Sequence, residues 1–113
     1  MNLKKIGLTD GETKVYLALL ELGSTSTGSI TKKSGVSGSK VYEVLDRLTK
    51  KGLVTQSIIN NVQHFQANSP NKILDYIEDK KEEIEKEKVI ANKIIPQLIK
   101  KQQQLQQSQA KVF

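Results

Sequence analysis

The chain has 113 residues, 36% hydrophobic and only 4% aromatic, which suits one small core with an appendage rather than two full domains. Eighteen basic side chains against twelve acidic ones leave a net charge of +6, a balance suited to a polyanionic partner, most often nucleic acid. The absence of cysteine excludes disulfides and thiolate metal sites, no apolar run is long enough to span a bilayer, and residues 1–7 lack the apolar stretch of a signal peptide.

The first helix is expected to begin at Thr9, because Thr9, Asp10, Gly11 and Glu12 fit a capping box in which the hydroxyl caps a backbone N–H and Glu12 reaches back. Val15, Leu19 and Leu22 recur behind it at helical spacing, with Tyr16 and Leu20 beside them. Gly23 ends the helix by adopting a left-handed cap. Residues 24–29 are small and polar and read as a loop. Thr27 is placed to cap a short second helix running to about Lys33, with Ile30 as its apolar anchor. Ser34, Gly35 and Val36 form a tight turn in which Gly35 supplies a positive φ. Ser37 is placed to cap a third helix reaching about Lys51, whose Val41, Val44, Leu45 and Leu48 form one buried stripe. Two β-prone runs, residues 53–59 and 62–67, flank Asn60 and Asn61, which tolerate positive φ, and so read as a hairpin.

Ser69 and Pro70 then start a long charged helix. Ile77, Ile84, Ala91, Leu98, Leu105 and Val112 stand seven residues apart, one side of a heptad seam. The other side is poorer, with Ile73, Lys80, Glu87, Ile94 and Lys101. Pro96 removes one backbone bond and is expected to kink or break the helix, and the glutamine-rich stretch 102–107 is expected to fray. A helix of that length extends about 60 Å at 1.5 Å per residue. A head this small has no surface to cover its seam, so two copies are expected to pair through Ile77, Ile84, Ala91, Ile94, Leu98 and Leu105. The expected fold class is mostly α with a small β-hairpin: a head over residues 1–69 and a dimerising coiled-coil helix over residues 70–113.

Helix, short helix, glycine turn, helix and hairpin is the order of a winged helix-turn-helix, in which the third helix enters the major groove. Residues 1–69 hold nine basic and five acidic side chains, and six of the basic ones (Lys32, Lys33, Lys40, Arg47, Lys50 and Lys51) lie between residues 27 and 52. The outer face of the third helix carries Ser39, Lys40, Glu43, Asp46, Arg47 and Lys50. Arg47 is suited to guanine edges and Lys50 to phosphate, while Glu43 can accept from cytosine or pair with Arg47 one turn on. Ser37 and Ser39 suit phosphate at the helix N-terminus, and Tyr42 flanks them. Thr27, Lys32, Lys33 and Lys51 complete the expected DNA-contact set, with Asn60 and Asn61 at the wing tip. No basic side chain occurs from residue 53 through residue 71, so the wing contributes little electrostatic attraction.

No enzyme signature is present. The serines have no organised base, and the glycines form no phosphate loop. The carboxylates between residues 75 and 87 alternate with lysines as a solvated helix flank. His64 is alone, so no metal site or cofactor is expected.

Leu8 through Glu12 and Val15 through Gly23 resemble the opening of the TrmB-like transcriptional regulators, a chiefly archaeal family. The segments at residues 30–36, 39–48 and 50–54 resemble it as well. The resemblance covers about residues 6–70. It implies a winged helix, dimerisation through a following helix and transcription control. Members of this family carry a basic wing ending in an aromatic residue, an alanine and a proline. Here Phe65, Ala67 and Pro70 are kept and the basic residues are missing. Larger members add a sugar-sensing domain beyond the coiled coil, so no small-molecule effector is expected from these residues. The expected partners are double-stranded DNA and a second copy, with no membrane, in a cytoplasmic, nucleoid-associated setting. The leading reading is a homodimeric regulator placing two third helices in successive major grooves. A low-specificity architectural DNA binder and a protein-interaction module are the alternatives.

Overall fold

The computed structural model describes residues 1–110, with side chains through residue 108. After a 3-10 turn at Leu3–Ile6, the chain forms α1 (Asp10–Leu22), α2 (Thr27–Ser34), α3 (Gly38–Lys50), β1 (Val54–Ile59), β2 (Val62–Ala67) and α4 (Lys72–Ala110). It separates into a head, residues 1–77, and a second unit that begins at Glu78 and consists of the remainder of α4.

The head is built around α1. Thr9 is its N-cap: the Thr9 hydroxyl accepts from the Glu12 amide at 3.1 Å, and the Thr9 amide donates to Glu12 Oε1 at 2.9 Å. The capping box is therefore complete. At the other end Gly23 has φ 72° and ψ −152°, an extended glycine conformation and not the expected left-handed cap, while its amide still closes on Leu19 O. Leu8, Val15, Tyr16 and Leu19 from this part of the chain pack with Ile30 of α2 and with Val41, Val44, Leu45 and Leu48 of α3. All four α3 residues of the expected stripe are buried.

The caps of α2 and α3 differ from the sequence expectation. Ser26, not Thr27, occupies the N-cap of α2, and it makes no side-chain cap bond. The Thr27 hydroxyl instead lies 3.4 Å from the Tyr42 hydroxyl on α3. Ser37 does hold the N-cap of α3, but its hydroxyl pairs with that of Ser39 at 3.1 Å and does not cap. Gly35 takes the left-handed conformation, φ 75°, that lets α2 end and α3 begin with only three residues between them.

The hairpin pairs Ile59 with Val62 across a two-residue turn, and Asn60 and Asn61 have φ of 53° and 65°. Positive φ at both central residues is the type I′ geometry whose twist matches the strands. Only the base of the hairpin is buried, through Val54 and Phe65. Phe65 also bridges to Thr25 in the α1–α2 loop, with Thr25 N donating to Phe65 O at 3.0 Å and Phe65 N to Thr25 O at 2.7 Å. The loop thus contributes a third, one-residue strand. Asn68 closes the base: its amide donates to Leu53 O, and its side chain donates to Gly52 O, each at 2.8 Å.

Pro70 precedes α4, whose first turn is closed by Lys72 N to Ser69 O and Ile73 N to Pro70 O. Ile73 and Tyr76 pack against the head core. The helix continues past Pro96 to Ala110, so the proline removes one backbone donor without ending it. The glutamine-rich stretch 102–107 is helical. Val112 of the expected seam lies outside the described residues.

The one buried charged residue among those described is Glu12, fully shielded from solvent. Its Oε2 accepts from Lys51 Nζ at 2.5 Å, tying the start of α1 to the residue that ends α3. Burial pushes the Glu12 pKa up, but the Lys51 ammonium and the Thr9 amide outweigh it, and the carboxyl sits below its ordinary 4.5. A depressed folded-state pKa adds stability that is complete above pH 4.5 and is lost as pH falls through the folded value. Glu12→Gln should therefore cost about 2–4 kcal/mol at pH 7, since it strands the Lys51 charge. It should also flatten the loss of stability on acidification. Urea melts of both proteins at pH 7 and pH 3 check this; equal stability at pH 7 contradicts it.

Candidate nucleic-acid interface

With its aliphatic stripe turned into the core, α3 leaves Ser39, Lys40, Tyr42, Glu43, Asp46 and Lys50 exposed and Arg47 half-buried. The basic groups on this helix are not equivalent. Lys40 is exposed and has no ion-pair partner among the described residues. Lys50 Nζ lies 3.0 Å from Asp46, and Arg47 Nη1 lies 3.0 Å from Glu43, both one turn apart along the helix. Exposed pairs of this kind are weak. A phosphate oxygen can displace either carboxylate at little cost. The inner edge of Arg47 behaves differently: its Nε is buried, has no hydrogen bond among the described residues, and stands 4.0 Å from Glu12 Oε2. That contact orients the arginine stem and leaves the far nitrogens at the surface.

Two further lysines of the expected DNA-contact set carry carboxylate partners, Lys51 inside the fold and Lys33 at the surface. Lys51 donates to Glu12, and its ammonium lies 5.5 Å from the centroid of the Tyr76 ring on α4. Only 21% of its side chain is exposed. In this fold it neutralises a buried carboxylate. Lys33 pairs with Glu21 of α1 at 2.8 Å, and the Glu21 hydrogen bond raises its pKa above the ordinary 10.5. Lys32, by contrast, is exposed and has no ion-pair partner among the described residues. Thr27 and Tyr42 join α2 to α3 through their hydroxyl contact, and Ser37 and Ser39 form a hydroxyl pair at the open N-terminus of α3.

A polar hollow separates the N-terminal turn of α1 from α3; Asp10, Lys14, Ser37, Lys40 and Arg47 are among its lining residues. Lys40 and Arg47 border it near Ser37, the N-cap of α3, while Lys14 is paired there with Asp10 at 3.0 Å. The wing offers no such charge. Asn60 and Asn61 are exposed at its tip, flanked by exposed Ile58, Ile59 and Val62. His64 Nδ1 is occupied by the Val62 carbonyl at 3.0 Å. Among the described residues no cluster of His, Asp and Glu is arranged to hold a metal, and no helix is long and apolar enough to cross a membrane.

The seam residues lie on α4 with nothing over them in the single chain. Ile77, Ile84, Ile94, Leu98 and Leu105 are each more than a third exposed, and Ala91 is exposed as well.

A family model described as sugar-specific transcriptional regulator TrmB matches residues 3–71. The chain belongs to the TrmB family. Its head is thus the winged helix of a family of DNA-binding transcriptional regulators, not of enzymes. Among curated relatives, the HTH-type sugar sensing transcriptional regulator TrmBL1 of Pyrococcus furiosus is 44% identical over 52 residues, which is 46% of this chain and 15% of that protein. The uncharacterised protein YrhO of Bacillus subtilis is 44% identical over 62 residues, 55% of this chain and 22% of its own length. The chain therefore spans less than a quarter of either relative. Among solved structures, TrmBL2, described as an archaeal chromatin protein, superposes with a TM-score of 0.72 at 24% identity over 87% of this chain and 39% of its own. A possible transcriptional regulator from Methanosarcina mazei gives 0.57 at 17% identity, covering 80% of this chain and 82% of that one. At such identities the two structures speak for the fold.

The TrmB head divides its lysines between structure and surface, and sequence pattern alone did not separate them. A signal was available for Lys51: Glu12 is a carboxylate on the inner side of α1, beside buried Val15 and Tyr16, and it needs a cation. Lys40→Ala should leave stability within about 0.5 kcal/mol of the parent, as for an ordinary surface change. Lys51→Ala should cost about 2 kcal/mol or more by stranding the Glu12 carboxylate. Thermal melts at pH 7 compare the two, and equal losses would reverse the assignment.

Proposed function

We propose that this chain binds double-stranded DNA with sequence preference and regulates transcription as a homodimer, with α3 in the major groove. The observation that carries the reading is the division of α3: a fully buried aliphatic stripe opposite a polar face on which Lys40 is unpaired and the outer nitrogens of Arg47 and the Lys50 ammonium are held by exchangeable surface pairs. Arg47 is the candidate reader of base edges, with its stem fixed by Glu12 and its outer nitrogens free to leave Glu43. Lys32, Lys40 and Lys50, with Ser37 and Ser39, form the phosphate set. Thr27 and Tyr42 set the α2–α3 angle and contact backbone from its edge. Glu43 acts as the internal competitor for Arg47, and Asn60 and Asn61 make neutral contacts from the wing. The homodimer reading rests on the uncovered aliphatic seam of α4.

One observation favours a second reading, an architectural binder with little sequence preference. The wing has no cation, and two of the three outward α3 cations carry a carboxylate partner, so few side chains remain to discriminate bases. The structural likeness to a chromatin protein agrees with that role. Selection from a random duplex pool, followed by titration of the enriched and a scrambled sequence at several salt concentrations, separates the two. An enriched motif bound at least about 1000-fold tighter than scrambled DNA supports the regulator, and a ratio near one with a steep salt slope supports the architectural role. No duplex binding at low salt overturns both.

Lys40→Ala should weaken binding to all duplexes and reduce the salt slope by about 1, whereas Arg47→Ala should lower the preference for the selected motif. Fluorescence anisotropy over a salt series measures both. Ile84→Lys should abolish the dimer by placing a charge in the seam; light scattering that still reports a dimer would refute the seam.

A further inference from the structure

Within the second unit, α4 carries an apolar cleft lined by Glu87, Ile90, Ala91, Ile94, Ile95 and Leu98. Its centre of symmetry can be read from residue numbers. Ile94 stands four residues from both Ile90 and Leu98, and seven residues from both Glu87 and Lys101. Glu87 and Lys101 share the heptad position of Ile94, so both edge the aliphatic stripe. Neither has an ion-pair partner among the described residues, unlike the neighbouring Lys86–Glu83 and Lys88–Glu85 pairs.

We propose that α4 pairs with a second copy of itself in antiparallel direction, about a two-fold axis at Ile94. The proposal rests on the homodimer reading above and adds the direction that reading leaves open. In a parallel, in-register pair every residue meets its own copy. Glu87 would then face Glu87 and Lys101 would face Lys101 across the seam, with like charges losing water against each other. Reversing one helix about Ile94 brings Ile90 against Leu98, Ile94 against itself, and Glu87 against Lys101 of the second copy, twice by symmetry. Both unpaired seam charges are satisfied by one operation.

The wider charge distribution agrees. Residues 78–88 hold six carboxylates and four lysines, whereas residues 89–110 hold three lysines and no carboxylate. An antiparallel pair lays the acidic stretch of one copy beside the basic stretch of the other, and a parallel pair lays each on its like. The parallel arrangement does gain a Glu83–Lys88 contact between copies, five residues apart on the flanks. That contact is solvated and already competes with the local pairs of both residues, so its contribution is small. In the antiparallel pair, the first turns of the two α4 helices lie at opposite ends, about 66 Å apart at 1.5 Å per residue.

The chain has no cysteine, which permits a direct test. The full-length E87C and K101C proteins are oxidised separately and as a mixture, after light scattering has established that each is a dimer. The expected result is a crosslinked dimer in the mixture and none in either protein alone. Crosslinking of E87C or K101C with itself overturns the antiparallel direction and leaves the homodimer standing. A dimer that crosslinks in no combination overturns the Ile94 axis, and a monomer overturns the homodimer reading itself. Charge reversal gives a second readout: K101E should weaken the dimer at least tenfold by sedimentation, and E87K/K101E should restore it. A parallel pair predicts no such rescue.

Discussion

The head depends on a single buried carboxylate. Glu12 closes the capping box of α1 with one oxygen and holds Lys51 with the other. The partners lie 39 residues apart, so the bond fixes the end of α3 against the start of α1. A charge taken fully out of water needs a partner of good geometry, or it unfolds what surrounds it. Here the partner is shared, because Lys51 also lies over Tyr76 at the beginning of α4. One lysine thereby connects the first helix, the third helix and the helix that leaves the head.

That constraint shapes the outer surface of α3. Arg47 stands one turn before Lys51 and shares the Glu12 field, so its stem is drawn inward while its outer nitrogens reach Glu43. The arginine is positioned before any ligand arrives, and less side-chain freedom remains to be lost on binding. Lys40 has no such anchor. The two side chains suit different tasks: a held guanidinium for a geometric contact and a mobile ammonium for a diffuse charge.

Much of the head could be read from sequence because its determinants are local. The Thr9–Glu12 box, the stripe from Val41 to Leu48, the Gly35 turn and the Asn60–Asn61 hairpin each lie within one or two turns of chain, and the structure contains all four. What escaped was of two kinds. Some features depend on pairing distant segments, such as the Thr25–Phe65 bridge and the Glu12–Lys51 bond, which no periodicity encodes. Others turned on competition between near-equal local choices. Ser26 takes the α2 cap position from Thr27, whose hydroxyl is drawn to Tyr42, and Ser37 pairs with Ser39 instead of capping. Pro96 belongs with these: one lost hydrogen bond does not end a helix sustained by neighbours on both sides. Of the candidate site, the outer face of α3 was legible as a polar face; which of its lysines the fold itself consumes was not.

The two halves of the chain rely on different physics, and this makes their proposed roles separable. Attraction of the head to phosphate comes from exposed cations and falls with ionic strength as counterions are released. Pairing of α4 would draw on buried aliphatic area, which salt does not screen, with charge deciding direction more than strength. Raising salt should then strip DNA from the protein before it parts the two copies. A chain built on one shared surface for both tasks would lose both together. The uneven charge, concentrated in the head and balanced by sign along α4, is the sequence-level form of that separation.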